Sequence, residues 1–232
     1  GALTPKPGGK GIGNPSFLAI HPGGRTLYCV GEGGKTGAVG AYAIDPATGA
    51  LTLLNQESAV GSGPCHISID KAGRNVVIAN YGGGSVACLP LDADGKLKPA
   101  SSFIQHTGSS VNAGRQKEPH AHSINFDPAN RFAFCADLGL DKILVYAFDG
   151  ASGKLTPHTT PSAAVAPGSG PRHFAFHPSA KYAYVINELL STITAFSYDA
   201  AKGELASMQT LSTLPADFKG GNSTAEVVVS PD

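Results

Sequence analysis

The sequence predicts an all-β fold of repeated four-stranded antiparallel sheets, and three observations carry the prediction. One phrase of residues recurs four times, each copy holds short β-branched or aromatic runs, and Gly- and Asp-rich turns part those runs at matching places. The copies open NPSFLAIHPGGRTLYCVGE (14–32), GPCHISIDKAGRNVVIANY (63–81), EPHAHSINFDPANRFAFCADL (118–138) and GPRHFAFHPSAKYAYVINEL (170–189). Their leading prolines, Pro15, Pro64, Pro119 and Pro171, stand 49, 55 and 52 residues apart. A period of this length, filled with short strands, is that of a β-propeller blade rather than of one continuous core.

The second copy shows the plan of a blade. Strands are expected over 65–70, 74–80, 85–91 and 96–105, joined by turns at Lys71-Ala72-Gly73, at Gly82 to Gly84 and at Asp92 to Gly95. Short runs joined in this way form antiparallel hairpins. The fourth copy repeats the plan as HFAFHP, YAYVIN, TITAFSYD and ELASMQTL. The turn between third and fourth strands gives an independent register: DPATGALT (45–52), DADGKLKP (92–99), DGASGKLTP (149–157) and DAAKGELA (199–206). Four whole blades are therefore expected at 14–62, 63–117, 118–169 and 170–224, within one incomplete propeller domain. The opening GALTP matches the end of the turn phrase, so residues 1–13 are expected to form the outer strand of a preceding blade. AEVVVSPD (225–232) matches the first strand of a following one. An open ring exposes strand edges and blade faces, so self-association is expected.

Composition narrows the partners. Lys plus Arg and Asp plus Glu balance at 17 each, and charged residues are only 15% of the chain, so no broad field attracts nucleic acid or an anionic membrane. No apolar run approaches the roughly 18 residues of a spanning helix. Cys29, Cys65, Cys88 and Cys135 form no CxxC pair and read as small buried hydrophobes. A cytoplasmic location is expected, although a start at Gly1 without an initiator Met leaves room for a removed leader.

Strand order locates a candidate site. The start of a blade's first strand and the end of its second lie at the same end of the sheet. In a propeller these ends gather around one mouth of the central channel. The residues expected there are Ser16 and Glu32; Cys65, His66, Asn80 and Tyr81; His120, His122 and Asp137; Arg172, His173, Asn187 and Glu188. His120 and His122 are two apart, so on a strand they share a face. One of them is expected to act as acid, base or substrate contact. No third metal ligand stands near them, and no metal is expected. Arg172 and Glu188 form either a structural ion pair or part of the site, and Glu32 fills the slot of Glu188 in the first blade. His66, either a brace or a ligand contact, is grouped with His173, Asn187, Glu32 and Arg115 as substrate-binding candidates. His21 and His177 read as turn residues, and His106 and His158 as parts of outer strands. GEGGKTG lacks the GK[ST] ending of a phosphate loop, and no GxSxG elbow occurs.

The segments GPCHISID, RQKEPHAHSINFDP, GPRHFAFHP and YAYVINELLSTITAF resemble the seven-bladed lactonase family, over essentially all 232 residues. That family includes the propeller-type 6-phosphogluconolactonases and the carboxy-cis,cis-muconate lactonizing enzymes. The resemblance implies seven blades, of which four whole and two partial ones are present here. It implies a catalytic His at His120 or His122, an Arg at Arg172 and a Glu at Glu188, with a further Arg beyond Asp232. The function implied is hydrolysis of a sugar lactone, 6-phosphogluconolactone foremost, by general acid–base chemistry without a cofactor. Muconate lactonization and a non-catalytic propeller that binds a ligand or protein are the alternatives. For hydrolysis the histidine would work near its ordinary pKa of about 6.5. Arg172 would bind an anionic group or stabilise the oxyanion, and Glu188 would orient the histidine or relay a proton.

Overall fold

A computed structural model describes residues 8–231. It contains sixteen strands in four sheets and no helix among the described residues. The first blade comprises β1 (Pro15–Ile20), β2 (Thr26–Gly31), β3 (Ala38–Ile44) and β4 (Leu51–Ser58). The second comprises β5 (Pro64–Ile69), β6 (Asn75–Asn80), β7 (Ser85–Pro90) and β8 (Ser102–Gln105). The third comprises β9 (Ala121–Phe126), β10 (Phe132–Asp137), β11 (Lys142–Asp149) and β12 (Lys154–Ala164). The fourth comprises β13 (Pro171–Phe176), β14 (Tyr182–Asn187), β15 (Thr192–Asp199) and β16 (Glu204–Ser212). Within each sheet the strands pair in chain order and antiparallel, as consecutive hairpins require.

The sequence pattern explains the stacking. In β6, NVVIAN, successive side chains point to opposite faces. Val76 and Ile78 enter a core shared with Tyr28, Val30, Val39 and Ile67. Val77 and Ala79 enter another with Ile124, Ala133 and Cys135. A third core joins Phe134, Ile143 and Val145 to Phe174, Val185 and Phe196. A strand buried on both faces needs a continuous apolar run, which is what β6 and β10 supply. Close approach between blades also needs glycine at two turns. Gly37 (φ 55°) and Gly84 (φ 58°) adopt left-handed conformations, and a Cβ on either would stand 2.2 Å from Pro64 Cδ or 2.5 Å from the Pro119 carbonyl oxygen.

Three cores join four blades, and among the described residues no core joins the fourth to the first. Leu18 and Ile20 of β1 are accordingly 53% and 54% exposed. The blades form an open arc.

The flanking segments differ from expectation. Residues 8–13 and 225–231 belong to no strand, while residues 1–7 and Asp232 lie outside the described residues. The first flank lies on the free face of the first blade, where Gln56 Nε2 donates to the Gly11 carbonyl at 2.5 Å. The last crosses β13, where Arg172 Nη1 donates to the Ala225 carbonyl. Side chains hold both, joined at the first flank by one backbone bond, from Gly33 N to the Gly13 carbonyl at 3.4 Å.

Candidate functional site

Every first strand carries the same irregularity. Pro15 pairs with Gly31 and Phe17 with Val30, so Ser16 has no partner on β2. The same bulge leaves Cys65, His122 and Arg172 unpaired in the other blades. A bulge re-aims the extra residue's side chain. Here all four are turned into one cleft of about 400 Å³ at the channel mouth, with Phe17, Glu32, Tyr81, Arg115, His173 and Glu188 among its other walls.

The bulges correct the register read from the prolines. His122, and not His120, is the counterpart of Arg172 and Cys65, because Ala121 rather than Pro119 opens the strand. His120 instead stacks flat on the Tyr81 ring at 4.5 Å, and its Nδ1 donates to the Tyr81 carbonyl at 3.0 Å. That contact fixes the proton on Nδ1. His122 meets the same ring edge-on at 5.3 Å.

Glu188 stands between two arginines. Its Oε1 accepts from Arg115 Nη2 at 2.8 Å, and its Oε2 lies 3.3 Å from Arg172 Nε. Arg115 also donates to the Tyr81 hydroxyl at 3.1 Å. Those bonds to Tyr81 and Glu188 hold its guanidinium firmly charged. Arg115 rides on the connection between β8 and β9, which is anchored by Gln116. The fully buried Gln116 amide donates to the Leu138 carbonyl at 2.8 Å and accepts from Asn112 N at 3.0 Å.

Electrostatics separate the histidines from the arginines. Burial first, then Arg172 and His173, push the His122 pKa down to about 3. Its imidazole is therefore neutral near pH 7, unlike the ordinary value expected from the sequence. Burial also lowers His173, although Glu226 opposes this through a 2.8 Å bond to Nδ1. His66 is lowered further, by burial and then by His173 and His122. Cys65 is raised to about 12 by burial, so it remains a thiol, and its Sγ donates to the His122 carbonyl at 3.2 Å.

The structure thus brings His122, Arg172, Glu188, His173, Arg115 and Glu32 around one cleft. Three other candidates stand apart from its lining. His66 is a buried brace, stacked on Phe17 at 4.3 Å and accepting from Ile124 N at 3.4 Å. Asn187 is fully buried, and its amide donates to Thr192 and Thr194 at 3.0 Å each. His120 backs Tyr81. Phe17, absent from the sequence candidates, was findable as the residue just after the first blade's bulge. His21 and His177 accept backbone N–H bonds within tight turns, and His158 accepts one from Thr160 N at the irregularity of β12. Cys29, Cys88 and Cys135 are buried and Cys65 half-buried, all of them free. Among the described residues no three His, Cys, Asp or Glu side chains are grouped as metal ligands, and no helix could cross a membrane.

Comparison with known proteins adds a family. A family described as lactonase, 7-bladed beta-propeller, matches residues 1–232. A 6-phosphogluconolactonase of Bacillus subtilis is 38% identical over 221 residues, covering 95% of this chain and 62% of that protein. One from Serratia proteamaculans is 36% identical over 93% of this chain and 60% of its own length. Among solved structures, a periplasmic gluconolactonase of Pseudomonas aeruginosa is 33% identical with a TM-score of 0.84, over 90% of this chain and 60% of that one. The chain spans about three fifths of the length of these relatives.

Proposed function

This chain belongs to the seven-bladed β-propeller lactonase family, and from that premise we propose that it serves hydrolysis of a phosphorylated sugar lactone, 6-phosphogluconolactone. The observation that carries the reading is the brace of Arg115 and Arg172 on Glu188, beside a neutral His122 in one cleft. The relatives named 6-phosphogluconolactonase support the substrate.

The chemistry follows from these groups. Arg115, at the rim, takes the phosphate, for which a forked donor is suited. Water attacks the lactone carbonyl while neutral His122 accepts its proton. Arg172, held by Glu188, faces the oxyanion that forms. The ring C–O bond then breaks, and the His122 imidazolium returns its proton to the departing alkoxide. A histidine with a low pKa is a weak base but a strong acid, so this second transfer is easy. An anion on Arg172 would offset one of the charges that depress His122 and so strengthen it as a base.

Turnover of 6-phosphogluconolactone and of carboxymuconate, measured side by side for wild type, His122→Ala and Arg172→Ala, tests this. The expected result is lactone hydrolysis by wild type that falls at least 100-fold in both variants. No lactone turnover by wild type, or full activity in both variants, would overturn it. Four free thiols suit a reducing compartment, and a cytoplasmic location is part of the proposal.

A further inference from the structure

His106, Asp137 and Tyr146 form a buried polar chain that the proposed chemistry does not use. His106 Nδ1 donates to Asp137 Oδ2 at 2.6 Å, and Tyr146 bonds His106 Nε2 at 2.7 Å. The His106 and Asp137 side chains are 1% and 0% exposed. The other carboxylate oxygen, Asp137 Oδ1, accepts from His120 N at 2.8 Å and from Gly139 N at 3.0 Å.

The repeat supplies its own control. His106 follows an outer strand, Asp137 ends a second strand, and Tyr146 pairs four residues back from Asp137. The same three positions hold Ala59, Asn80 and Leu89 one blade earlier, and Val165, Asn187 and Phe196 one blade later. Those junctions are filled by apolar side chains and a single amide. Buried ionisable pairs are seldom more stable than apolar replacements, so packing alone does not account for the substitution of all three. There is a second difference. The Oδ1 atoms of Asn80 and Asn187 are buried without a partner, whereas Asp137 Oδ1 holds the backbone that leads into β9. In the second blade the amide turns away, donating to the Ala59 carbonyl at 3.2 Å.

We propose that Asp137, locked by His106 and Tyr146, is a positioning residue that sets the His120–His122 segment at the cleft. Its bond to His120 N joins two others, from Leu138 N to the His120 carbonyl at 2.9 Å and from His120 Nδ1 to Tyr81. Together they leave His120 one ring position against Tyr81, the ring that His122 meets edge-on. The bulge that aims His122 begins at the next residue. The proposal rests on the lactonase reading for its kinetic consequence and on geometry alone for its structural one.

The test installs the residues of the junction one blade earlier as His106→Ala, Asp137→Asn, Tyr146→Leu, with Asp137→Asn alone as the milder variant. Two readouts are taken: the 15N shifts of the His120 ring, and kcat and KM for 6-phosphogluconolactone. In wild type the His120 proton resides on Nδ1; in the variants the shifts move toward a mixture of tautomers. With position lost but binding groups intact, kcat falls on the order of 10- to 100-fold while KM stays within about twofold. Unchanged His120 shifts in a folded variant overturn the proposal, as does a rise in KM at constant kcat. Should wild type hydrolyse no lactone, the lactonase reading fails and the ring shifts alone decide. Should the triple variant not fold, Asp137→Asn decides by the same two readouts.

Discussion

Arg115 and Glu188 are 73 residues apart in the chain, and their side chains meet at 2.8 Å across the channel mouth. One comes from a connection anchored by a buried glutamine, the other from the end of a second strand. The pair gives Glu188 a second cation beside Arg172 and ties the connection between the second and third blades to the fourth. A carboxylate between two guanidiniums holds both in place at the cleft.

Removal of Arg115 separates binding from chemistry. A hydrogen bond to a charged group is worth about 1.5–3 kcal/mol, which corresponds to about a 10- to 150-fold rise in KM. Arg115→Ala is expected to show that rise with kcat reduced only a few-fold. Arg172→Ala, by contrast, lowers kcat. Steady-state kinetics on 6-phosphogluconolactone distinguish the two.

Acid weakens the fold through His122. Its folded pKa, about 3, lies below the ordinary 6.5, so between these values the unfolded chain binds the proton and the folded chain does not. Stability is thus fully present above about pH 6.5 and is lost as pH falls toward 3. A single such group contributes a slope of about 1.4 kcal/mol per pH unit in that window. Urea midpoints measured from pH 7 to pH 4 are expected to fall in wild type and to fall less steeply in His122→Asn. His66 and His173 act in the same direction.

Cys65 faces the cleft yet is expected to resist alkylation. With its pKa raised to about 12, roughly one molecule in 10⁴ carries the thiolate at pH 8. Mass spectrometry after iodoacetamide at pH 8 should find the native protein unlabelled at this position and the denatured protein labelled at all four cysteines.

Phe134 joins the third and fourth blades. It is fully buried and touches the Phe174, Phe176 and Tyr198 rings at 5.7, 5.2 and 5.5 Å. Phe134→Ala is expected to cost about 3–5 kcal/mol, read from the shift in the denaturation midpoint.

Self-association through the first blade is a further expected outcome. Leu18 and Ile20 are both more than half exposed beside an apolar hollow lined by Pro15, Phe17 and Cys29. Light scattering should show mass rising with concentration, and Leu18→Lys with Ile20→Glu should suppress the rise. A wild-type monomer at all concentrations would contradict this.

Much of the architecture was legible in the sequence. Strand runs of alternating or continuous apolar residues, punctuated by turns that run from Asp to Gly, mark four sheets, and antiparallel order carries Arg172, Glu188 and His122 to one end. The rest depended on information that a pattern does not hold. Pro119 looks like the strand-opening Pro64 and Pro171, but the third blade inserts two residues before its bulge, so the histidines shift relative to the mouth. Asn187 stands at the right strand end, yet its side chain turns inward to Thr192 and Thr194. His106 was readable only as an outer-strand residue, because its partners Asp137 and Tyr146 lie 31 and 40 residues away. The terminal phrases match strands in wording, but pairing requires a neighbouring strand as well as a suitable sequence.

The four bulges have an evolutionary consequence. A bulged residue takes no part in the backbone ladder, so its identity is not set by cross-strand fit. Serine, cysteine, histidine and arginine occupy the same socket in four successive blades while the sheets around them keep one plan. New chemistry can therefore arise here by exchanging one side chain per blade, at little risk to the scaffold. The propeller presents these four side chains much as a turret presents interchangeable tools.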